Sequence, residues 1–189
     1  MRALLTVNNK KGIVEFAKKL EQLNVEIVSA GATYEMLKDS GISVADVSTM
    51  IYHNNSLDCI IKTLYTEVFA AIDADHKDIE HMHQLQSLGI KPFDMVVINI
   101  HNFAEDIHDN TDMTLKYIDV GGVTLLKSAS KNYKRIIIAC QPEDYDLVVS
   151  ELENNGDVSL KTRKYLMKKA FNTLCDYDNE IRDYINSTI

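Results

Sequence analysis

Ala3-Leu4-Leu5-Thr6-Val7 is a short apolar run with β character, and the polar loop Asn8-Asn9-Lys10-Lys11-Gly12 follows it. Ile13, Phe16, Ala17, Leu20 and Leu23 then recur at helical spacing, with Lys18, Lys19 and Glu21 off that face. Val25 to Ser29 is a second apolar run, ending in Ala30-Gly31-Ala32-Thr33. Glu35 to Asp39 reads as a short helix stopped by Ser40-Gly41, and Val44 to Val47 as a third strand. Strand, loop and helix in repeated alternation imply an α/β fold: a parallel central sheet flanked by helices.

The pattern carries on down the chain. Ser48 to about Asp78 mixes periods, and Leu57 to Phe69 is apolar without a clear repeat. Ile79 to Leu88 reads as a helix ended by Gly89. Phe93 to Ile100 is nearly continuous apolar, as a strand buried on both faces should be. Thr111 to Tyr117 and Val123 to Ser130 are helical candidates on either side of Gly121-Gly122, and Arg135 to Cys140 is another buried strand. Pro142-Glu143-Asp144 opens a helix to about Asn154, where the acids suit the helix dipole. From Ser159 as N-cap, Leu160, Tyr165, Leu166, Phe171, Leu174, Tyr177, Ile181 and Tyr184 predict one or two long helices over about 159–185.

The 189 residues suit one large domain or one domain with appended helices, 46% hydrophobic and 25% charged. A net charge of −8 argues against a nucleic-acid protein working by general phosphate attraction. A local phosphate site needs only backbone N–H groups and one or two lysines. Cys59, Cys140 and Cys175 form no CxxC pair and are expected to be reduced, buried thiols in a cytoplasmic protein. No apolar run approaches membrane-spanning length, and the first residues read as a strand rather than a signal peptide.

In an open parallel sheet, ligands bind at the carboxyl ends of the strands. The polar or small segments there are Asn8 to Gly12, Ala30 to Thr33, Asn99 to Asn102, and Gln141. The first two are phosphate-loop candidates, although neither has Walker or dinucleotide spacing. Ile118-Asp119-Val120-Gly121-Gly122, with Lys131-Asn132 nine residues on, supplies an acid, a flexible pair and a cation. Taken alone, that acid is most often a turn residue and that lysine most often solvated surface.

Several segments in order resemble the IMP cyclohydrolase domain of the bifunctional AICAR formyltransferase/IMP cyclohydrolase family. They are Leu4 to Gly12, Val28 to Thr33, Lys62-Thr63-Leu64, Val96 to Phe103, Ile118 to Asn132, and the tail. In the tail, Ser159-Leu160, Thr162-Arg163, Leu166, Lys169-Ala170-Phe171, Tyr177-Asp178, Ile181 and Tyr184 follow the family pattern.

The resemblance implies a methylglyoxal-synthase-like fold with added C-terminal helices and a homodimer. It implies a purine ribotide as substrate and no cofactor or metal, with formyl transfer performed on another protein. The implied reaction closes 5-formamidoimidazole-4-carboxamide ribotide to inosine monophosphate with loss of water. It assigns transition-state stabilisation to Lys62, proton transfer to Lys131, and to Asp119 a substrate contact that can partner Lys131. Asn99 and Thr63 match substrate-contacting positions. Asn8, Asn9 and Lys10 match one side of a phosphate cradle, and Gly31, Ala32 and Thr33 the other. Val120, Gly121 and Asn132 complete the expected substrate contacts, and His101 replaces a family tyrosine in the active site.

The rim departs from the family. Ile60 stands where an arginine is usual, removing five donors. Tyr65-Thr66 and His101-Asn102 replace His-Pro and Tyr-Pro, Ala30 and Ala32 replace a hydroxyl residue and a glycine, and Val68 to Asp75 lacks the family's glycine and arginine. His76, His81 and His83 lack a carboxylate or cysteine framework and read as a polar helix face. The alternative to a cyclohydrolase is a diverged homologue, catalytic or not, that binds another phosphorylated purine-like ligand.

Overall fold

The computed structural model describes residues 1–50, 64–107 and 111–188. Five strands among them, β1 (Arg2–Val7), β2 (Glu26–Ser29), β3 (Val44–Asp46), β4 (Met95–Asn99) and β5 (Ile137–Ala139), form one sheet. The sheet is all-parallel in the order β3-β2-β1-β4-β5. Leu4 lies opposite Val28 on one side and Val96 on the other. The chain therefore lays down β1, β2 and β3 in one direction, then returns to add β4 and β5 beyond β1. The reversal leaves a crevice outside the carboxyl ends of β1 and β4, where open α/β sheets bind ligands.

Helices cover both faces, so every residue of β4 is buried and its near-continuous apolar sequence is explained. Ala3, Leu5, Met95 and Val97 face α1 (Ile13–Gln22), α2 (Gly31–Asp39) and α7 (Tyr145–Asn155). Leu4, Val96, Ile98 and Ile138 face α3 (Thr66–Asp73), α4 (Ile79–Ser87), α6 (Val120–Lys131) and α8 (Leu160–Thr188). A short helix, α5 (Thr111–Leu115), precedes α6. The tail is one 29-residue helix, and Ser159 Oγ accepts the Thr162 N–H at 3.2 Å as expected of its cap. Leu166, Ala170 and Leu174 fasten that helix to the sheet layers.

Four local expectations change. Gly31 to Thr33 are the first turn of α2 rather than a loop before it, and Gly121-Gly122 lie inside the first turn of α6 rather than between two helices. His76 precedes α4, where it meets Arg135 at 3.0 Å, so only His81 and His83 share that helix. Of the cysteines, Cys140 is buried at the end of β5 but Cys175 is exposed on α8; Cys59 lies outside the described residues.

Candidate active site

At the switch point, Val7 pairs with Asn99 in the register between β1 and β4. The Asn99 side chain turns this pairing into a clamp. Its Oδ1 accepts the backbone N–H groups of Asn8 and Asn9 at 2.6 and 2.8 Å, and its Nδ2 donates to Asn9 O at 3.2 Å. Two loop donors with no strand partner are thereby satisfied. Asn8 Nδ2 lies 2.5 Å from His101 Nδ1. An amide nitrogen only donates, so Nδ1 accepts, and a neutral imidazole carries its proton on Nε2.

The second strand supplies the other side. Ala30 is the N-cap of α2 and has no side-chain hydrogen bond to offer, while Gly31 takes φ 55°. The first turn of α2 thus presents backbone donors without a side-chain cap from Ala30. Beside it, Thr33 Oγ1 is buried and accepts Val7 N–H at 3.1 Å and Lys10 Nζ at 2.9 Å. Lys10 Nζ also donates to Val7 O. Burial lowers the Lys10 pKa below that of an ordinary lysine. An ammonium beside helix donors that Ala30 leaves uncapped is an arrangement suited to an anionic group.

Across the crevice, Asp119 is the N-cap of α6. Its Oδ1 accepts Gly122 N–H at 2.7 Å, its Oδ2 accepts His101 N–H at 3.3 Å, and its own N–H donates to the Tyr177 hydroxyl at 2.7 Å. Between these groups lies a cleft of about 780 Å³, within the range of about 300–1,000 Å³ that holds small-molecule ligands. Asn8, Lys10, Gly31, Ala32, Thr33, Asn99, His101, Asp119, Val120 and Gly121 line it, and Asn9 contributes its backbone to the Asn99 clamp.

Lys131 and Asn132 lie elsewhere. α6 carries the chain from the carboxyl edge of the sheet back to the amino edge, where β5 begins. Its twelve residues span roughly 16 Å at the α-helical rise. Lys131 Nζ pairs with Asp73 at 3.3 Å, and Asn132 Nδ2 bonds Asp73 Oδ1 at 2.5 Å and Ile72 O at 3.3 Å. The anticipated Asp119–Lys131 partnership is replaced by this pairing with Asp73. Lys62, Thr63 and Ile60 lie outside the described residues.

Sequence reading missed Thr6, Val7, Leu64, Ile98, Lys116 and Tyr117, which also line the cleft. Tyr117 and Lys116 lie two and three residues before Asp119, and that nearness in sequence was the available signal.

Comparison with known proteins agrees with this architecture. A family model described as MGS-like domain matches residues 12–124. The chain belongs to that family. A second model, the AICARFT/IMPCHase bienzyme, matches residues 129–189, which takes in the tail helix of this MGS-like chain. The bifunctional purine biosynthesis protein PurH of Caldicellulosiruptor bescii is 42% identical over 186 residues, covering 97% of this chain and 36% of that protein. PurH of Brachyspira hyodysenteriae is 40% identical over 191 residues, covering 100% of this chain and 37% of its own length. The chain thus spans about a third of the length of these curated relatives. The crystal structure of ForH superposes with a TM-score of 0.87 at 27% identity, covering 96% of this chain and 97% of ForH. Among the described residues, no helix is long and apolar enough to cross a membrane.

Proposed function

We propose that the chain is an IMP cyclohydrolase, closing the formamido-imidazole carboxamide ribotide to inosine monophosphate. The observation that carries this reading is the end-to-end likeness to bifunctional purine biosynthesis proteins. A switch-point cleft with an anion receptor at one end and a carboxylate at the other supports it.

In the proposed pose, the phosphate sits on Lys10 and the first turn of α2, contacting Gly31, Ala32 and Thr33. The imidazole points towards Asp119 and His101, with Asn99, Val120 and Gly121 along the wall. The carboxamide nitrogen attacks the formyl carbon and loses one of its two protons as the C–N bond forms, and the formamido nitrogen gives up the other proton as the C–O bond breaks and a C=N bond forms. The formyl oxygen takes up two protons and departs as water. Asp119 receives a proton from the nitrogen, and His101 Nε2 donates to the oxygen as its charge grows. Lys62, as oxyanion stabiliser, and Thr63, as substrate contact, are assigned by resemblance alone. Lys131 and Asn132 are left out of the chemistry of this cleft, because the length of α6 separates them from it.

Under this reading the protein works as a cytoplasmic homodimer, and formyl transfer belongs to a domain or protein other than these 189 residues. The test is purified protein incubated with the formylated ribotide, with product followed by absorbance and identified by mass spectrometry. Asp119→Asn keeps an N-cap of equal quality while removing the base. It is expected to lower kcat by about 10²-fold or more. A folded wild-type protein that yields no inosine monophosphate overturns the proposal.

A further inference from the structure

The geometry points to Tyr177, on the tail helix, as the positioning residue for the Asp119 carboxylate. This inference rests on the proposed ring closure for its kinetic consequence, but not for its structural one.

Asp119 sits at φ −78° and ψ 89°, outside the helix it caps. Its N–H has no strand ladder and no preceding helical turn to bond, so an external acceptor must hold it. That acceptor is the Tyr177 hydroxyl, 2.7 Å away and 58 residues further along the chain. The neighbouring backbone bonds are longer turn contacts, with Ile118 N–H to Leu115 O at 3.4 Å and Val120 N–H to Ile118 O at 3.1 Å. The tyrosine anchor therefore governs the peptide plane from which the carboxylate projects.

Tyr177 is itself well fixed. It is 5% exposed, and its ring meets Phe103 edge-on at 6.4 Å. Phe103, 1% exposed, begins the turn just after His101, and Tyr184 packs against it at 5.5 Å. The tail helix thus touches both sides of the reacting end, the His101 segment by ring packing and the Asp119 segment by a hydrogen bond. The His101 N–H to Asp119 Oδ2 contact closes the circuit between them.

A single neutral hydrogen bond adds little to stability, whereas a displacement of about 1 Å in a reacting group costs roughly 10²-fold in rate. Removing the hydroxyl alone should therefore be felt far more in turnover than in folding.

The experiment compares wild type, Tyr177→Phe, Asp119→Asn and the double variant. Tyr177→Phe keeps the ring and its Phe103 contact. It is expected to lower Tm by no more than about 4 °C, and to speed amide hydrogen exchange at Asp119 and at the capped Gly122 N–H. It should lower kcat by about tenfold or more while KM changes less than about threefold. In the Asp119→Asn background the same change should cost nothing further, because the two residues act as one unit. Unchanged exchange at Gly122, or a full additional loss in the double variant, overturns the inference. If wild type shows no turnover, the functional proposal fails, and the exchange measurement alone still decides whether Tyr177 positions Asp119.

Discussion

The Asp119 carboxylate fills the space that a side chain at Gly122 would need. A Cβ built on Gly122 falls inside contact distance of Asp119 Oδ2 and 2.9 Å from its Cγ. The glycine therefore serves the acid rather than the ligand: it lets the carboxylate fold back to within 2.7 Å of the Gly122 N–H. Gly121-Gly122 reads as a helix breaker in sequence, yet one of the two is the condition for capping the helix.

Gly122→Ala follows directly from that contact. Alanine improves helix propensity by roughly 1 kcal/mol, but it must expel the carboxylate from its cap. We expect a folded protein whose turnover falls at least as far as that of Asp119→Asn, measured side by side in the ring-closure assay. Wild-type turnover in Gly122→Ala would mean that the carboxylate acts from another position.

Lys131→Ala should behave differently from the cleft variants. The Lys131–Asp73 pair is largely exposed, with side chains 66% and 39% accessible, so its loss should cost less than about 1 kcal/mol. The Kd of inosine monophosphate, measured calorimetrically, should stay within about twofold of wild type. A loss of affinity of tenfold or more would place Lys131 at a ligand after all, and a cleft in another copy of the chain would then be the place to look.

The strand, helix and strand of the first 29 residues were legible because each element shows its period cleanly, and Asn99 because it ends a strand buried on both faces. Asp119 with Lys131 was misleading for a physical reason: nearness in sequence across a helix is distance in space. Tyr177 was invisible as a site residue because its partner is 58 positions away. The α2 turn reads as a loop in sequence because Ala30 offers no capping side chain, and the same lack leaves its donors open on that side.

The cysteines divide by environment. Burial, with the Asp144 carboxylate nearby, pushes the Cys140 thiol up to about 11, so almost no thiolate exists there at pH 8. Cys175 is exposed. Brief iodoacetamide treatment of native protein, followed by peptide mapping, should label Cys175 and spare Cys140 until denaturant is added. Equal labelling of both in the native state would contradict the packing of β5 against α8.

Lys10 gives the cleft its pH dependence. Burial lowers its pKa, and it donates to the Val7 carbonyl and the Thr33 hydroxyl, neither of which is a charged partner. Only the ammonium form attracts a phosphate, so affinity should be full below the depressed pKa and fall as pH rises through it, earlier than for an ordinary lysine. Bound phosphate in turn favours the protonated form, so binding near that pH takes up protons. Lys10→Arg keeps its charge to much higher pH, and should move the fall in affinity alkaline even if its larger fork weakens binding overall. Kd for inosine monophosphate, measured across pH 7 to 10 in both proteins, decides the matter. Coincident pH profiles would show that a group other than Lys10 carries the dependence.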